Sequence, residues 1–146
     1  MPSLTLAQAS TIVDVALRKG RATNCAPLVV AVLDAGGHLV AFKREDKAGI
    51  MRFDIAFGKA WGALGMGFGS RQLAVRASAN PVFFNALAVA SGGRFVPVPG
   101  GVLIQDAAGE VIGAVGVSGD TFGRDEECTL AGIEAAGLKG DPGATK

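Results

Sequence analysis

The stretch Val111 to Val117, VIGAVGV, constrains this chain more than any other. It is rich in β-branched residues. A comparable run, Val102-Leu103-Ile104, precedes it across Asp106-Ala107-Ala108-Gly109, a turn whose glycine can take positive φ. Arg94 to Asp120 therefore reads as a β-hairpin segment with the second strand central to a sheet. Gly113 and Gly116 differ in parity, so an extended strand turns them to opposite faces, and each lets another element approach the backbone closely. A packed helix is one occupant of such a gap, and a ligand is the other.

The rest of the chain must supply the layers that cover this strand. With 146 residues the expectation is one domain, large enough to bury about two-thirds of its unfolded surface. Hydrophobic residues make up 49% and charged ones 18%, which suits a compact fold with little charged decoration. The net charge is +1 with Lys and Arg scattered, so no basic footprint for nucleic acid is present. No apolar run reaches the ~18–20 residues of a membrane span, and no basic segment leads into an apolar core at the N-terminus, so a cytoplasmic location without membrane contact is expected. Cys25 and Cys128 lack metal-type or CxxC spacing and read as buried small apolar residues.

In chain order, Thr5 and Gln8 have capping-box spacing ahead of a helix whose stripe is Ala9, Ile12, Val13, Ala16 and Leu17. Asn24, shortly before Pro27, is the better stop, because Asn tolerates the left-handed cap. Leu28 to Asp34 has no alternation and reads as a strand covered on both faces; Ala35-Gly36-Gly37 turns it into a second strand, His38 to Lys43. Glu45 to Gly49 is a charged loop, and Met51 to Leu64 is a helix with Ile55, Ala56, Lys59, Ala60 and Ala63 on one side. Its Gly58, Gly62 and Gly65 cost about 1 kcal/mol each relative to Ala but permit a close crossing with another helix or a sheet. Ser70 is expected to cap a short helix, Arg71 to Ala77, and Asn80-Pro81 starts another that runs to Ala90. That last helix is apolar almost all round, which one small domain covers poorly, so a homo-oligomer is expected. Pro97 and Pro99 make Arg94 to Gly101 an edge or loop. Thr121 then caps a final helix that ends near Gly137.

Four segments together resemble a known family: VVAVLDAGGHLVAFKR (Val29 to Arg44), SRQLAVRASANPVFFNAL (Ser70 to Leu87), GGRFVPVPGGVLI (Gly92 to Ile104) and GEVIGAVGVSGDTFGRDEECTLAGIEAAG (Gly109 to Gly137). They look like the GlcG/HbpS heme-binding family, which includes the C-terminal domain of PduO-type proteins. The resemblance implies an α/β (α+β) profilin-like fold, with an antiparallel sheet of about five strands flanked by helices in the order αββ, helices, ββα. It covers a single domain over residues 4–138 and leaves residues 139–146 as a disordered tail. It also implies homo-oligomers, often octamers, and binding of heme or another small molecule.

For heme iron the chain offers one histidine and no tyrosine. The axial donors open to it are His38, Met51 or Met66, Cys25 or Cys128, or an oxygen ligand. His38 in its hairpin turn reads either as that metal ligand or as a solvated turn residue. The glycine-rich turns bear on ligand binding as well. Gly92-Gly93, Gly100-Gly101 and Ser118-Gly119 can gather backbone amides at one end of the sheet, while Arg71, Arg76 and Arg94 supply bidentate donors for a carboxylate or phosphate. Arg94, between two glycine pairs, is the first choice. The other reading makes these residues turns, caps and surface arginines, with Asp120, Asp125, Glu126 and Glu127 already occupying the positive end of the last helix. Ser118 lacks the strained elbow of a catalytic nucleophile. Two functional classes follow: a heme or small-molecule binding protein, and a small catabolic enzyme acting on an organic acid, with Arg94 or Arg71 on the carboxylate and Asp34, Glu45, Asp46 or His38 moving a proton. An accessory subunit without a ligand is a third.

Overall fold

The structure, a computed structural model, describes residues 3–144. The elements are α1 (Leu6–Ala22), β1 (Val29–Asp34), β2 (Leu39–Arg44), α2 (Arg52–Met66), α3 (Ser70–Ala79), α4 (Pro81–Ala90), β3 (Gly101–Gln105), β4 (Val111–Ser118), α5 (Phe122–Ala135) and β5 (Lys139–Asp141). The five strands form one antiparallel sheet in the order β2-β1-β4-β3-β5. This is the expected α+β arrangement, with β4 in the middle.

Local chemistry sets the ends of the helices. Thr5 and Gln8 exchange side-chain hydrogen bonds at 3.0 Å with each other's backbone N–H, and Asn24 takes φ 56 after α1. Asn80 accepts from Phe83 N–H ahead of proline at the first turn of α4, and Thr121 accepts from Arg124 N–H at the start of α5.

The sheet is covered on both sides. Leu28, Val30, Val32, Val102, Ile104, Val115 and Val117 face α1 and α5, and the side chains between them fully bury Ile12, Val13 and Ile133. On the other face Val29, Ala31, Leu33, Leu103 and Ala114 lie against α2. Coverage on both sides is why β1 shows no polar alternation.

Helix α2 sits unusually deep because the floor beneath it is small. Ala31, Gly116 and Gly101 align across β1, β4 and β3 in direct register. A Cβ on Gly116 would land on the carbonyl oxygen of Ala56, and one on Gly101 would land on that of Lys59. Gly113, on the opposite face, lies against Leu4 and the Leu33 carbonyl. On its outer side α2 uses Gly58 and Gly62 to receive the loop between α4 and β3: a Cβ would meet Arg94 O at 2.5 Å from Gly58, and Phe95 Cδ1 at 2.8 Å from Gly62. The close crossing expected for these glycines is made with an extended loop.

Two expectations are corrected. Residues 139–141 are a strand, β5, paired with β3 through Leu103, Ile104 and Gln105, and Pro142 O accepts from Arg71 N–H at 3.2 Å. Gly140 fits there because it lies against Leu130, Val102 and Ile133, so three residues gain a ladder despite their polar composition. The remainder of the expected tail, residues 145–146, lies outside the described residues. Ser70 is the first residue of α3 and caps nothing; its buried Oγ accepts from Gly101 N–H at 2.7 Å. Among the described residues no helix is long and apolar enough to cross a membrane.

Candidate functional site

The residues singled out from sequence fall into three places. Gly100, Gly101, Ser118 and Gly119 lie at one end of β3 and β4, but Gly100 and Gly101 pack on a lysine from α2. Lys59 is 1% exposed and donates to Val117 O at 2.8 Å and to Asp125 Oδ2 at 3.2 Å. The other Asp125 oxygen accepts from Asp120 N–H at 2.9 Å. Gly100 lies so close that a Cβ would meet Lys59 Nζ at 2.8 Å, and its carbonyl accepts from Thr129 Oγ1 at 3.1 Å. Gly101 N–H is committed to Ser70, and Ser118 Oγ accepts from Arg52 at 3.3 Å. Gly119, at φ 152, is packed on Pro27 and Leu28. The Gly101 amide is therefore used internally. Burial drives the Lys59 ammonium below its usual range and the Asp125 carboxyl above its own, each opposed by the other's charge.

Arg71, next to Ser70, is occupied. Its Nε lies 2.9 Å and 3.1 Å from the two oxygens of Glu126, tying α3 to α5. Glu45, a candidate proton carrier, is likewise paired with Arg21 at 3.0 Å and accepts from Leu28 N–H at 2.8 Å. Neither arginine offers the Gly100–Ser118 end a free bidentate donor through Nε: the Arg71 Nε is taken by a carboxylate, and Arg94 lies on an aromatic face with its Nε on Ser91 O.

Arg94 and His38 instead share a neighbour that the sequence reading did not weigh, Trp61 on α2. The Arg94 guanidinium lies 4.3 Å from the centre of the indole ring, and its Nε donates to Ser91 O at 2.9 Å. On the other side of the indole, a Cβ on Gly37 would meet Trp61 Cδ1 and Nε1 at 3.3 Å, so the β1–β2 turn rests against its edge. In that turn Asp34 Oδ1 accepts from Gly36 N–H and His38 N–H at 3.0 Å each and lies 3.2 Å from His38 Nδ1. The His38 backbone N–H is the main cause that holds the Asp34 carboxyl below its ordinary value; burial opposes it and Gly36 N–H assists. The imidazole folds over Gly36, where a Cβ would meet Cε1 at 2.9 Å. Its side chain is 81% exposed.

Two hollows open beside Trp61. One, about 160 Å³, lies between Gly36, Gly37, Leu64 and Gly65. The other, about 200 Å³, is floored by Gly62 and Phe95 and walled by Met66 and Leu87. Trp61 and Gly65 belong to both. Among the described residues no group of three or more His, Cys, Asp and Glu side chains is gathered to hold a bare metal ion. Cys25 and Cys128 are free and buried, as expected, and burial with the neighbouring Cys25 pushes the Cys128 thiol up to about 12.

Two signals for the missed residues were present. Lys59 stands on an otherwise apolar helical stripe, and a charge there requires a buried partner; Asp125 was assigned to the helix dipole alone. Trp61 is the single tryptophan, set among Gly58, Gly62 and Gly65.

Known proteins give the arrangement a context. The sequence model of the family described as "Haem degrading protein HbpS-like" matches residues 4–134. An uncharacterized 15.0 kDa protein of the dhaT-dhaS intergenic region of Citrobacter freundii is 33% identical over 125 residues, 84% of each chain. Among solved structures, protein ORFY of Klebsiella pneumoniae has a TM-score of 0.84 at 27% identity, covering 94% of this chain and 92% of that one. HbpS has 0.78 at 25%, covering 92% and 90%. A PduOC:heme complex has 0.84 at 23%, covering 94% and 97%, which is a likeness of fold.

Proposed function

We propose, from the premise that this chain belongs to the HbpS-like family, that it binds heme against the Trp61 wall, where His38 would hold the iron. The observation that carries this is the Asp34–His38 contact at 3.2 Å. A ligating histidine is normally oriented by a carboxylate or carbonyl on its second nitrogen, and the tautomer that donates Nδ1–H to Asp34 leaves the Nε2 lone pair free. The donor set fits the group: an exposed, carboxylate-anchored imidazole stands beside the flat apolar surface of Trp61, Leu64 and Gly65. Bound heme supplies the redox and ligand-exchange chemistry of its iron. His38 orients it, Asp34 fixes the imidazole, and Trp61 and Leu64 exclude water from one face. Each hollow is smaller than the ~300–1,000 Å³ of an enclosed cofactor pocket, so a single copy forms an open wall.

Titration of the purified protein with hemin tests this. The wild type is expected to saturate at a fixed ratio with a Soret shift, and His38→Ala to bind at least tenfold more weakly. Gradual, unsaturable uptake that is equal in both proteins rules the reading out.

The same proposal includes a homo-oligomer, of octameric size by the family resemblance, in the cytoplasm. Two free buried cysteines suit a reducing compartment. Val82 and Val89 on α4 are 80% and 82% exposed, with Phe83 beside them, which supports an interface on that face. Phe84 points inward, stacked on Phe95 with ring centres 5.7 Å apart, so it reports on the fold of one subunit. Val82→Asp/Val89→Asp is expected to elute as a smaller species on gel filtration with its circular dichroism unchanged. An unchanged elution volume would place the interface elsewhere or show a monomer.

A further inference from the structure

We infer that Arg94 and Trp61 form a carboxylate clamp at the mouth of the larger hollow, and that the protein binds amphipathic monocarboxylates there, apolar tail inward, whether or not iron is present. The inference shares a wall with the heme reading but does not use His38.

Three features of Arg94 set it apart from Arg71. Its Nε is anchored on Ser91 O at 2.9 Å, and its Cζ lies 4.3 Å from the centre of the Trp61 ring, so the guanidinium is held at two points. Among the described residues neither terminal nitrogen donates to a protein acceptor, and no carboxylate stands within ion-pair distance; Arg71, by contrast, is spent on Glu126. A guanidinium held in this way presents two parallel N–H groups at little further cost in entropy, the arrangement that a carboxylate oxygen pair matches. Ser91 and Trp61, the residues that hold Arg94, themselves line the hollow of about 200 Å³, as does its chain neighbour Phe95, so the charge stands beside it.

The interior of that hollow is apolar: Gly62, Gly65, Met66, Leu87 and Phe95 offer carbon surface to a ligand. Gly62 is required there, since a Cβ would press on the Phe95 ring at 2.8 Å, whereas a Cβ on Gly65 meets only Trp61 at 4.0 Å. A cation at one end and carbon along the rest select an acid with a short alkyl or flat hydrocarbon body. Small hydrophilic dicarboxylates are disfavoured, because their second charge would be buried without a partner.

Trp61 is the sole tryptophan and there is no tyrosine, so intrinsic fluorescence reads this surface alone. Decanoate and decanol are the probes, identical in tail and differing in charge. Decanoate is expected to change the Trp61 emission saturably and to bind at least tenfold more tightly than decanol. Arg94→Gln should remove that preference, Arg94→Lys should restore part of it, and Gly65→Leu, which fills the hollow without touching the charge, should weaken both probes together. His38→Ala should bind decanoate as the wild type does. Equal affinity for the two probes in the wild type, or a preference for decanoate that survives Arg94→Gln, overturns the clamp. Loss of hemin binding in His38→Ala with decanoate binding intact separates the two sites, and failure of the hemin titration leaves the decanoate result to stand or fall alone.

Discussion

Gly116→Val is expected to lower the unfolding free energy by about 3 kcal/mol or more, and in a protein with a total of ~5–15 kcal/mol to leave a visible unfolded fraction at 37 °C. The first β-carbon alone would occupy the position of the Ala56 carbonyl oxygen. That oxygen belongs to the backbone of α2, so no rotamer change relieves the overlap; the helix must lift from the sheet. Lifting it opens Ala56 and Ala60 to water and pulls Lys59 from Val117 O and Asp125 together. Valine suits a strand in isolation, so β-propensity alone predicts a gain. Urea unfolding followed by circular dichroism decides between them: an undiminished midpoint in Gly116→Val means that α2 does not rest on β4 as described. Gly109→Val in the hairpin turn, with φ 83 and open space around its α-carbon, probes backbone strain without a clash and should cost less.

This floor was legible in the sequence because glycines within a β-branched run have few uses, and their parity fixes which face each serves. The helix caps were legible for a similar reason: Thr5 with Gln8, Asn80 with Pro81, and Thr121 are local devices that need no knowledge of the rest of the chain. β5 was not, since Lys139-Gly140-Asp141 carries no strand propensity and pairs only because β3 presents an open edge. The candidate site divides along the same line. His38 and Asp34 lie four residues apart in one turn, so their meeting is a local fact. Arg94 meets Trp61 from 33 positions away in sequence, through a crossing of loop on helix that only the packed fold creates. Gly100, Gly101, Ser118 and Gly119 lie at one end of β3 and β4, but what that place does depends on Lys59, which local reasoning read as one more member of a helical stripe.

Breaking that internal pair should produce the other large effect. Lys59→Met leaves the Asp125 carboxylate 1% exposed with Asp120 N–H as its remaining partner, and Asp125→Leu leaves the ammonium with Val117 O and the Phe122 ring but no anion. Removing one member of a buried pair typically costs ~3–5 kcal/mol, because the survivor is an uncompensated charge. Joining the two substitutions replaces both charges by carbon of similar bulk, so Lys59→Met/Asp125→Leu should recover at least half of the larger single loss. Full recovery is not expected, since Val117 O and Asp120 N–H lose their side-chain partners. The pH dependence separates desolvation from simple loss of packing. In Lys59→Met the Asp125 carboxyl, already pushed up by burial, loses the cation that opposes the push. Its folded-state value then lies further above the unfolded one, so the deficit relative to wild type is smallest in acid, where the carboxyl is protonated in both states. It grows as pH rises through the unfolded value towards the raised folded one. Unfolding free energies for the four proteins between pH 4 and pH 8 complete the cycle. Additive single losses, or a Lys59→Met deficit that does not change with pH, would mean that the pair contributes packing alone, and that the end of the sheet where Gly100 and Ser118 meet is held by the glycine floor without help from charge.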